Sequence, residues 1–213
     1  VLGILALRRN GQTRVAYVDI DAHHCDGVEH AFRNEPDVLM ISVHEEGRWP
    51  FTGALTDRGC GNAFNLPVPA GFNDSEMRAA LDTLILPRVA MHRPDAIVLQ
   101  CGADALEEDP LSRLSLSNNA HRGVLAALRP LAPRLIVTGG GGYNPWSVGR
   151  CWTGLWAVLA GEAIPDRLPP AAEAVLRALT WGRRGRPAPD EAMMTTLNDP
   201  PREGPVSDAV RTR

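Results

Sequence analysis

The sequence predicts an α/β fold built on a parallel β-sheet, and three observations support this prediction. Short segments rich in β-branched and aliphatic residues alternate along the chain with segments of helical periodicity. Chains that alternate in this way form parallel sheets covered by helices on both faces. Three of the predicted strands are also followed at once by acidic, imidazole or glycine residues, at the edge where such sheets bind ligands.

The strands and helices can be assigned in order along the chain. The apolar runs bounded by polar or turn-forming residues predict strands at 14–19, 37–43, 63–68, 95–100 and 135–138. Helical patterns occupy residues 1–9, 26–34, 117–131 and 145–160. A further helix is expected to begin at Asn73, because Glu76 three positions later completes a capping box. We expect Pro87 to bend this helix or to end it early.

The composition changes after about residue 165. Pro, Arg and acidic residues become frequent, and periodicity is lost after Trp181. We therefore expect a domain at 1–165 and a tail at 166–213 that is extended on the surface or partly disordered. A short basic run at 183–186 is expected to be solvated. Because the sequence opens in the middle of a helical pattern, we expect it to be a piece of a longer protein.

Length and charge narrow the possible functions. A chain of 213 residues and 23.0 kDa is long enough for one sizeable domain with its own core. The formal net charge of −3 provides no general attraction to nucleic acid or to an anionic membrane. No apolar run is long enough to span a membrane, and no signal peptide is recognisable. Four scattered cysteines without a C-x-x-C pair favour a reducing, cytoplasmic location.

The segment DIDAHHCDG at 19–27 directly follows a predicted buried strand. Side chains at alternate positions of an extended chain point the same way, so Asp19, Asp21 and His23 can converge at the carboxyl edge of the sheet. Asp104 follows the strand at 95–100 and adds a carboxylate at the same edge. Charges clustered in this way are costly to bury unless a cation lies among them.

Asp21, His23 and Asp104 therefore form a candidate metal site. Three protein ligands leave coordination positions open for water and substrate, which is typical of a catalytic site. One nitrogen and two carboxylates suit Zn²⁺, and the same donors also accept Fe²⁺, Co²⁺ or Mn²⁺. At a third strand end, the four glycines at 139–142 allow close approach of the backbone to a ligand and present Tyr143 from a loop.

The motifs at these strand ends resemble, in order and spacing, those of the histone deacetylase superfamily. They are DIDAHHCDG at 19–27, CGAD at 101–104, DPL at 109–111 and GGGGY at 139–143. The segment HEEGRWPFTG at 44–53 is similar to the bacterial branch called acetoin utilization deacetylases. The resemblance implies a three-layer arginase/deacetylase fold without its N-terminal part. It also implies zinc-dependent hydrolysis of N-acetyl-lysine or a related acetylated amine.

The resemblance also implies roles for individual residues. Asp21, His23 and Asp104 would hold the zinc ion, and Tyr143 would donate a hydrogen bond to the amide carbonyl and then to the oxyanion. A narrow channel for the acyl-lysine would be lined by Leu111, Gly141 and Gly142. A potassium ion would be bound by Asp19, the hydroxyl of Ser42 and the main-chain carbonyls of Asp21, His23 and Val43.

Two departures from the family pattern affect these expectations. The paired histidines that serve the family as general base and acid are absent, although Asp19 and Asp26 match the carboxylates that orient them. Losing a general base costs roughly 10²–10⁴-fold in rate, so we expect this chain alone to be weak or inactive. Cys25 stands where the family usually has glycine, and it would strain the loop by about 1–3 kcal/mol if that position needs positive φ.

Two other functions remain open. The two-manganese ureohydrolases share the fold, but the position two after His23 is Cys25 rather than Asp, which weighs against a second metal. A non-catalytic protein could keep the metal and bind acylated ligands without turnover. The missing histidine pair favours that alternative, and the presence of Tyr143 opposes it.

Several other residues are expected to have structural roles. His24 is predicted to be packed and hydrogen-bonded, His44 to border the pocket, and Asp109 to form a turn. Three histidines with helical spacing are expected at the surface or in an interface: His30, His92 and His121. Three tryptophans with helical spacing are expected in the core: Trp146, Trp152 and Trp156.

Overall fold

A parallel five-stranded sheet lies at the centre of the molecule, as the sequence predicts. The computed structural model describes residues 1–182 and 189–211, so the basic run at 183–186 lies outside the described residues. The strands are β1 (Val15–Asp19), β2 (Val38–Glu45), β3 (Ala63–Val68), β4 (Ala96–Gln100) and β5 (Leu135–Thr138). Their order across the sheet is β3-β2-β1-β4-β5, and every neighbouring pair is parallel.

Helices cover both faces of this sheet. They are α1 (Leu2–Arg9), α2 (Asp26–Phe32), α3 (Asp74–Ala80), α4 (Leu86–His92), α5 (Asn118–Leu128), α6 (Pro145–Ala160), α7 (Pro170–Ala178), α8 (Glu191–Thr195) and α9 (Asp208–Arg211). The capping box before α3 is present. The side chain of Asn73 accepts the main-chain N–H of Glu76, and the side chain of Glu76 accepts the main-chain N–H of Asn73. The helical segment does not end at Pro87: a single π turn joins α3 to α4, and the proline lies in the first turn of α4.

The central strand β1 supplies side chains to two separate cores. Val15 and Tyr17 pack with residues of α1 and α2 on one face of the sheet. Ala16 and Val18 pack on the other face, against the layer that contains α3, α5 and α6. This alternation follows from the two-residue period of a strand, and it leaves β1 buried along its whole length.

The register of the strands determines which polar residues meet at the carboxyl edge. Asp19, the last residue of β1, lies opposite Ser42 of β2 on one side and Gln100 of β4 on the other. The loops that follow β1 and β4 therefore leave the sheet side by side. This adjacency brings the first and second acidic motifs together, although they are about eighty residues apart in the sequence.

The C-terminal segment contains three short helices, α7 to α9, that the sequence pattern did not predict. A buried ion pair holds part of the segment against α6, with Nη2 of Arg150 2.7 Å from Oδ1 of Asp199. Met193 and Leu197 are also buried. Helices of four to nine residues present too few turns for an apolar period to be recognised, and their packing depends on distant parts of the chain.

Three expectations about individual side chains are wrong. His121 is fully buried rather than at the surface, because it lies on the same face of α5 as Leu125 and Leu128. Trp146 is buried as expected, but Trp152 is 37% exposed and Trp156 is 69% exposed, because α6 covers the sheet only along one side. Among the described residues, no helix is both long enough and apolar enough to cross a membrane.

Candidate metal centre

Three side chains that could hold a metal ion meet at the carboxyl edge of the sheet. Asp21 and His23 are carried by the loop after β1, and Asp104 lies in the short turn after β4. One ligand atom from each lies within 4.8 Å of the others. Asp21 and Asp104 are buried, whereas His23 is partly exposed, so the cluster opens to solvent on one side. The structure thus brings together the three residues that the sequence singles out as metal ligands.

The contacts within this triad suit a cation. Nδ1 of His23 lies 3.0 Å from Oδ1 of Asp21 and 2.9 Å from Oδ2 of Asp104. Oδ1 of Asp104 accepts the main-chain N–H of Ala22, whereas Oδ2 is buried and its polar neighbour is Nδ1 of His23. Because Nδ1 of His23 lies close to both carboxylates, it serves Oδ2 poorly, and a metal ion between the three side chains would satisfy this oxygen. The residues present therefore fit a divalent metal.

The electrostatics of the triad lead to the same conclusion. The adjoining carboxylates of Asp104 and Asp21 raise the pKa of His23 to about 10, although burial acts in the opposite direction. Burial, together with the charge of Asp21, raises the pKa of Asp19 to about 8. Several negative groups thus compete for little positive charge in a buried space. A bound cation would stabilise all of these carboxylates in their ionised form.

Glycines allow the two neighbouring loops to lie against the carboxylates of Asp21 and Asp104. A Cβ atom at Gly102 would come 2.1 Å from Oδ2 of Asp21, and one at Gly141 would come 1.9 Å from Oδ2 of Asp104. No side chain fits at either position. The main-chain N–H of Gly141 also donates to Oδ2 of Asp21 at 2.8 Å. The glycine run after β5 is therefore required by close packing on the site, not by flexibility.

Tyr143 follows the glycine run and is 45% exposed. Its main-chain N–H donates to Oδ2 of Asp109 at 2.6 Å. Partial burial and the nearby carboxylates of Asp104 and Asp21 raise the pKa of the Tyr143 phenol. The hydroxyl therefore keeps its proton at neutral pH and is available as a hydrogen-bond donor beside the triad.

The other two predicted catalytic residues lie in different environments. Asp19 is buried, and its carboxylate accepts the hydroxyl of Tyr17 and the main-chain N–H of Asp21. Asp26 is exposed at the start of α2 and accepts the main-chain N–H of Gly27 at 2.7 Å. Asp19 therefore supports the loop that carries Asp21 and His23, whereas Asp26 faces solvent at the start of α2.

The other predicted cation and channel residues lie on β2 and on the loops that follow β4 and β5. Ser42 and Val43 are buried in β2, and Oγ of Ser42 lies 3.0 Å from Nδ1 of His44. The main-chain N–H of Leu111 donates to Oδ1 of Asp109, so that one carboxylate holds both Leu111 and Tyr143. Gly142, with a φ of 150°, connects Gly141, which lies against Asp104, to Tyr143.

The environments of three further predicted residues are resolved. His24 is buried and hydrogen-bonds to Thr52 and Glu29, which agrees with the predicted packed histidine. His44 is also buried, and its second nitrogen contacts the carbonyl of Gly53. Cys25 has a φ of −77°, so the strain expected for a residue in place of glycine does not arise.

Sequence reasoning missed three residues of the centre. Nε2 of Gln100 donates to Oδ2 of Asp21 at 2.9 Å. The ring of Trp49, which is 65% exposed, lies 6.4 Å from the imidazole of His23 between centroids. Asp109 was expected to be a turn residue, but its carboxylate also accepts the N–H of Tyr143. Gln100 could have been identified from its position at a strand end, whereas the contacts of Trp49 and Asp109 depend on how the loops pack.

Comparison with known proteins relates this centre to one family. The family described as "Histone deacetylase domain" matches residues 1–159. Histone deacetylase 9 of Arabidopsis thaliana is 39% identical over 175 residues, which cover 79% of this chain and 41% of the relative. Histone deacetylase 1 of Homo sapiens is 38% identical over 174 residues, which cover 79% of this chain and 36% of the relative. The chain thus spans about two fifths of the length of these relatives.

Solved structures agree with this relationship. The crystal structure of an HDAC homolog from Aquifex aeolicus matches with a TM-score of 0.90 and 35% identity, covering 99% of this chain and 59% of that one. The crystal structure of an HDAC homolog complexed with SAHA matches with a TM-score of 0.89 and 35% identity, with the same coverage. The observed fold is therefore that of these structures along almost all of the present chain.

Proposed function

This chain belongs to the histone deacetylase family, and on that premise we propose that it forms the metal-binding part of a deacetylase. The proposed substrate is N-acetyl-lysine or a small acetylated amine. The observation that carries the proposal is the convergence of donor atoms from Asp21, His23 and Asp104 within 4.8 Å of one another. The similarity of the segment at 44–53 to acetoin utilization deacetylases favours the bacterial branch of the family.

The triad is proposed to hold Zn²⁺, and its mixed donors also accept Fe²⁺ or Co²⁺. Bound zinc would polarise the acetyl carbonyl and lower the pKa of a coordinated water. Gln100 and the main-chain N–H of Gly141 keep Asp21 oriented by donating to its second oxygen. Asp19 and Ser42, adjacent in the register of β1 and β2, are the proposed side-chain ligands of a potassium ion, together with carbonyls of the same segments.

Tyr143 is proposed to act on the substrate directly. Its protonated hydroxyl would donate a hydrogen bond to the acetyl carbonyl and a stronger one as negative charge develops on that oxygen. The exposed ring of Trp49 and the backbone of Gly141 and Gly142 would border the acyl chain, with Leu111 on the loop held by Asp109. These groups would exclude water around the reacting carbonyl.

The general base is proposed to come from outside this sequence. Among the described residues, the buried histidines have hydrogen-bond partners outside the triad: His24 with Thr52 and Glu29, His44 with Ser42 and Gly53, and His121 with Gly102. We propose that Asp19 and Asp26 orient a histidine pair from another segment, as the family resemblance implies.

Metal binding is the first test of this function. After zinc loading and dialysis, elemental analysis should find about one zinc ion per chain. Asp104→Ala should remove most of this zinc, because it deletes a ligand. Asp82→Ala, which changes an exposed carboxylate on a distant helical turn, is the matched control and should bind zinc like the wild type. A wild-type chain that retains no zinc would contradict the proposal.

Chemical rescue tests the missing base. Hydrolysis of an acetyl-lysine peptide by the zinc-loaded chain should be weak and should increase when imidazole is added as an external base. Tyr143→Phe should lower the rescued rate by about 10²–10³-fold, because it removes the oxyanion donor.

If the chain binds zinc and the hydroxamate SAHA but shows no turnover even with imidazole, it is instead a non-catalytic acyl-binding protein. The absence of a second histidine in contact with the triad, among the described residues, favours that second candidate.

A further inference from the structure

We propose that Trp152 and His121 are positioning residues that fix the loop bearing Asp104 and thereby set the affinity of the metal centre. This inference rests on the proposed metal-binding function. Neither residue contacts the triad through a hydrogen bond, and both belong to helices rather than to the loops of the site. They act on two consecutive peptide groups at the end of β4, directly before the ligand Asp104.

Each of these peptide carbonyls is held by a side chain from a different helix. The indole Nε1–H of Trp152, on α6, donates to the carbonyl of Cys101 at 2.9 Å. Nε2 of His121, on α5, lies 2.9 Å from the carbonyl of Gly102. Because a carbonyl oxygen can only accept, Nε2 of His121 carries the proton. The orientation of this stretch of backbone is therefore fixed from two directions by rigid elements.

The position of this backbone controls both carboxylates of the triad. Gly102 lies so close to Asp21 that a Cβ on it would come 2.1 Å from the carboxylate oxygen. If the peptide group of Gly102 rotated, the backbone would either press on the Asp21 carboxylate or leave a gap beside it. Asp104 lies two residues further along the same turn and would move with it. A shift of a few tenths of an ångström here changes the ligand geometry.

The indole of Trp152 also reaches the second loop of the centre. A Cβ at Gly139, the first of the four glycines, would come 2.6 Å from the Trp152 ring. The two loops are joined directly as well, since the N–H of Ala103 donates to the carbonyl of Gly141 at 2.7 Å. One side chain of α6 therefore holds the Asp104 loop by a hydrogen bond and the Tyr143 loop by packing. Partners of this kind orient metal ligands, and losing one typically weakens metal affinity by about 10–100-fold.

The test compares zinc dissociation constants, measured by competition with a chromophoric chelator, and melting temperatures. Trp152→Phe keeps most of the ring but removes the N–H, and we expect it to weaken zinc binding by roughly 10-fold or more. Trp156→Phe, one helical turn further along α6 and largely exposed, is the matched control and should keep the wild-type affinity. His121→Leu should weaken binding as well, and His121→Gln, which keeps a donor, should recover part of the loss.

The outcomes separate this inference from the proposed function. If the wild-type chain binds no zinc, the metal-binding function itself is wrong. If Trp152→Phe and His121→Leu bind zinc with wild-type affinity, or only their melting temperatures change, the two residues are structural and the inference is overturned. Should Trp152→Phe fail to fold, the His121→Leu and His121→Gln pair decides by itself, because a structural role would not distinguish their affinities after correction for the folded fraction.

Discussion

The carboxylate of Asp109 accepts the main-chain N–H of Tyr143 at 2.6 Å, across 34 positions of sequence. Its other oxygen accepts the N–H of Leu111 at 2.9 Å. One buried side chain thus fixes both the loop that presents the proposed oxyanion donor and the loop that borders the proposed acyl channel.

Asp109→Ala is expected to lower peptide hydrolysis in the imidazole-rescued assay by roughly 10–100-fold, because a displaced Tyr143 no longer meets the reacting oxygen. Zinc affinity should stay at the wild-type level, since Asp109 is not a ligand. Asp109→Asn, which keeps one acceptor oxygen, should show a smaller loss. A wild-type rate for Asp109→Ala would mean that Tyr143 is positioned by its own loop.

Gly141→Ala is expected to weaken zinc binding by roughly 10–100-fold, because its Cβ would come 1.9 Å from Oδ2 of Asp104. Gly149→Ala is the matched control, since a Cβ at that helical position meets open space. The control should keep its zinc affinity and gain up to about 1 kcal/mol of stability from higher helix propensity. Chelator competition and thermal melting measure the two effects. Equal affinities for the two variants would contradict the close packing of the glycine loop on Asp104.

Glu45→Gln is expected to lower the free energy of unfolding by about 1–3 kcal/mol, as measured by denaturant titration. Glu45 is buried and accepts from the side chain of Arg48 and from both the main chain and the guanidinium of Arg113, linking two loops at the rim of the centre. Burial raises the pKa of Glu45, but the hydrogen bonds from Arg48 and Arg113 outweigh it and hold the pKa below its usual range. Arg113→Ala should cost about 1 kcal/mol or less, because that guanidinium is largely exposed.

Asp199→Ala is expected to destabilise the protein by about 3–5 kcal/mol, because it leaves the guanidinium of Arg150 buried without its partner. Replacing both residues, Arg150→Met with Asp199→Leu, should cost less than the single change, because no uncompensated charge remains. Denaturant unfolding checks both values. If Asp199→Ala has the same free energy of unfolding as the wild type, the C-terminal segment does not unfold cooperatively with the rest of the protein.

His121 is expected to make stability decrease as the solution becomes acidic. Complete burial lowers its pKa in the folded state, although the neighbouring charges of Asp199 and Asp74 and its hydrogen bonds act in the opposite direction. Below about pH 6.5, His121 is therefore protonated in the unfolded chain but not in the folded chain. This difference of one proton lowers the free energy of unfolding by at most about 1.4 kcal/mol per pH unit.

This prediction is checked by measuring the free energy of unfolding at several pH values between 7 and 5. His121→Gln removes the titrating group and should reduce the slope relative to the wild type. Other histidines contribute equally to both proteins, so the difference isolates His121. Identical slopes would show that His121 is protonated to the same extent in both states.

Much of the framework could be predicted because it depends on local pattern. Strand positions follow from short apolar runs, and the capping box at Asn73 is visible in four consecutive residues. The meeting of Asp21, His23 and Asp104 was also predictable, because alternate residues of an extended chain share a face and parallel strands end at one edge. His121 shows where such reasoning fails, since the same helical spacing is compatible with a surface or a buried position until the packing partner of the helix is known.

The sequence by itself therefore determined the order of the elements, the parallel sheet and the chemistry of Asp21, His23 and Asp104, because these depend on residue type and on short-range periodicity. Only the tertiary structure decided how that chemistry is held in place. The bonds from Asp109 to Tyr143, from Glu45 to Arg113 and from Trp152 to Cys101 join residues 34, 68 and 51 positions apart. Contacts at such separations depend on how whole loops and helices pack, and no local pattern in the chain specifies them.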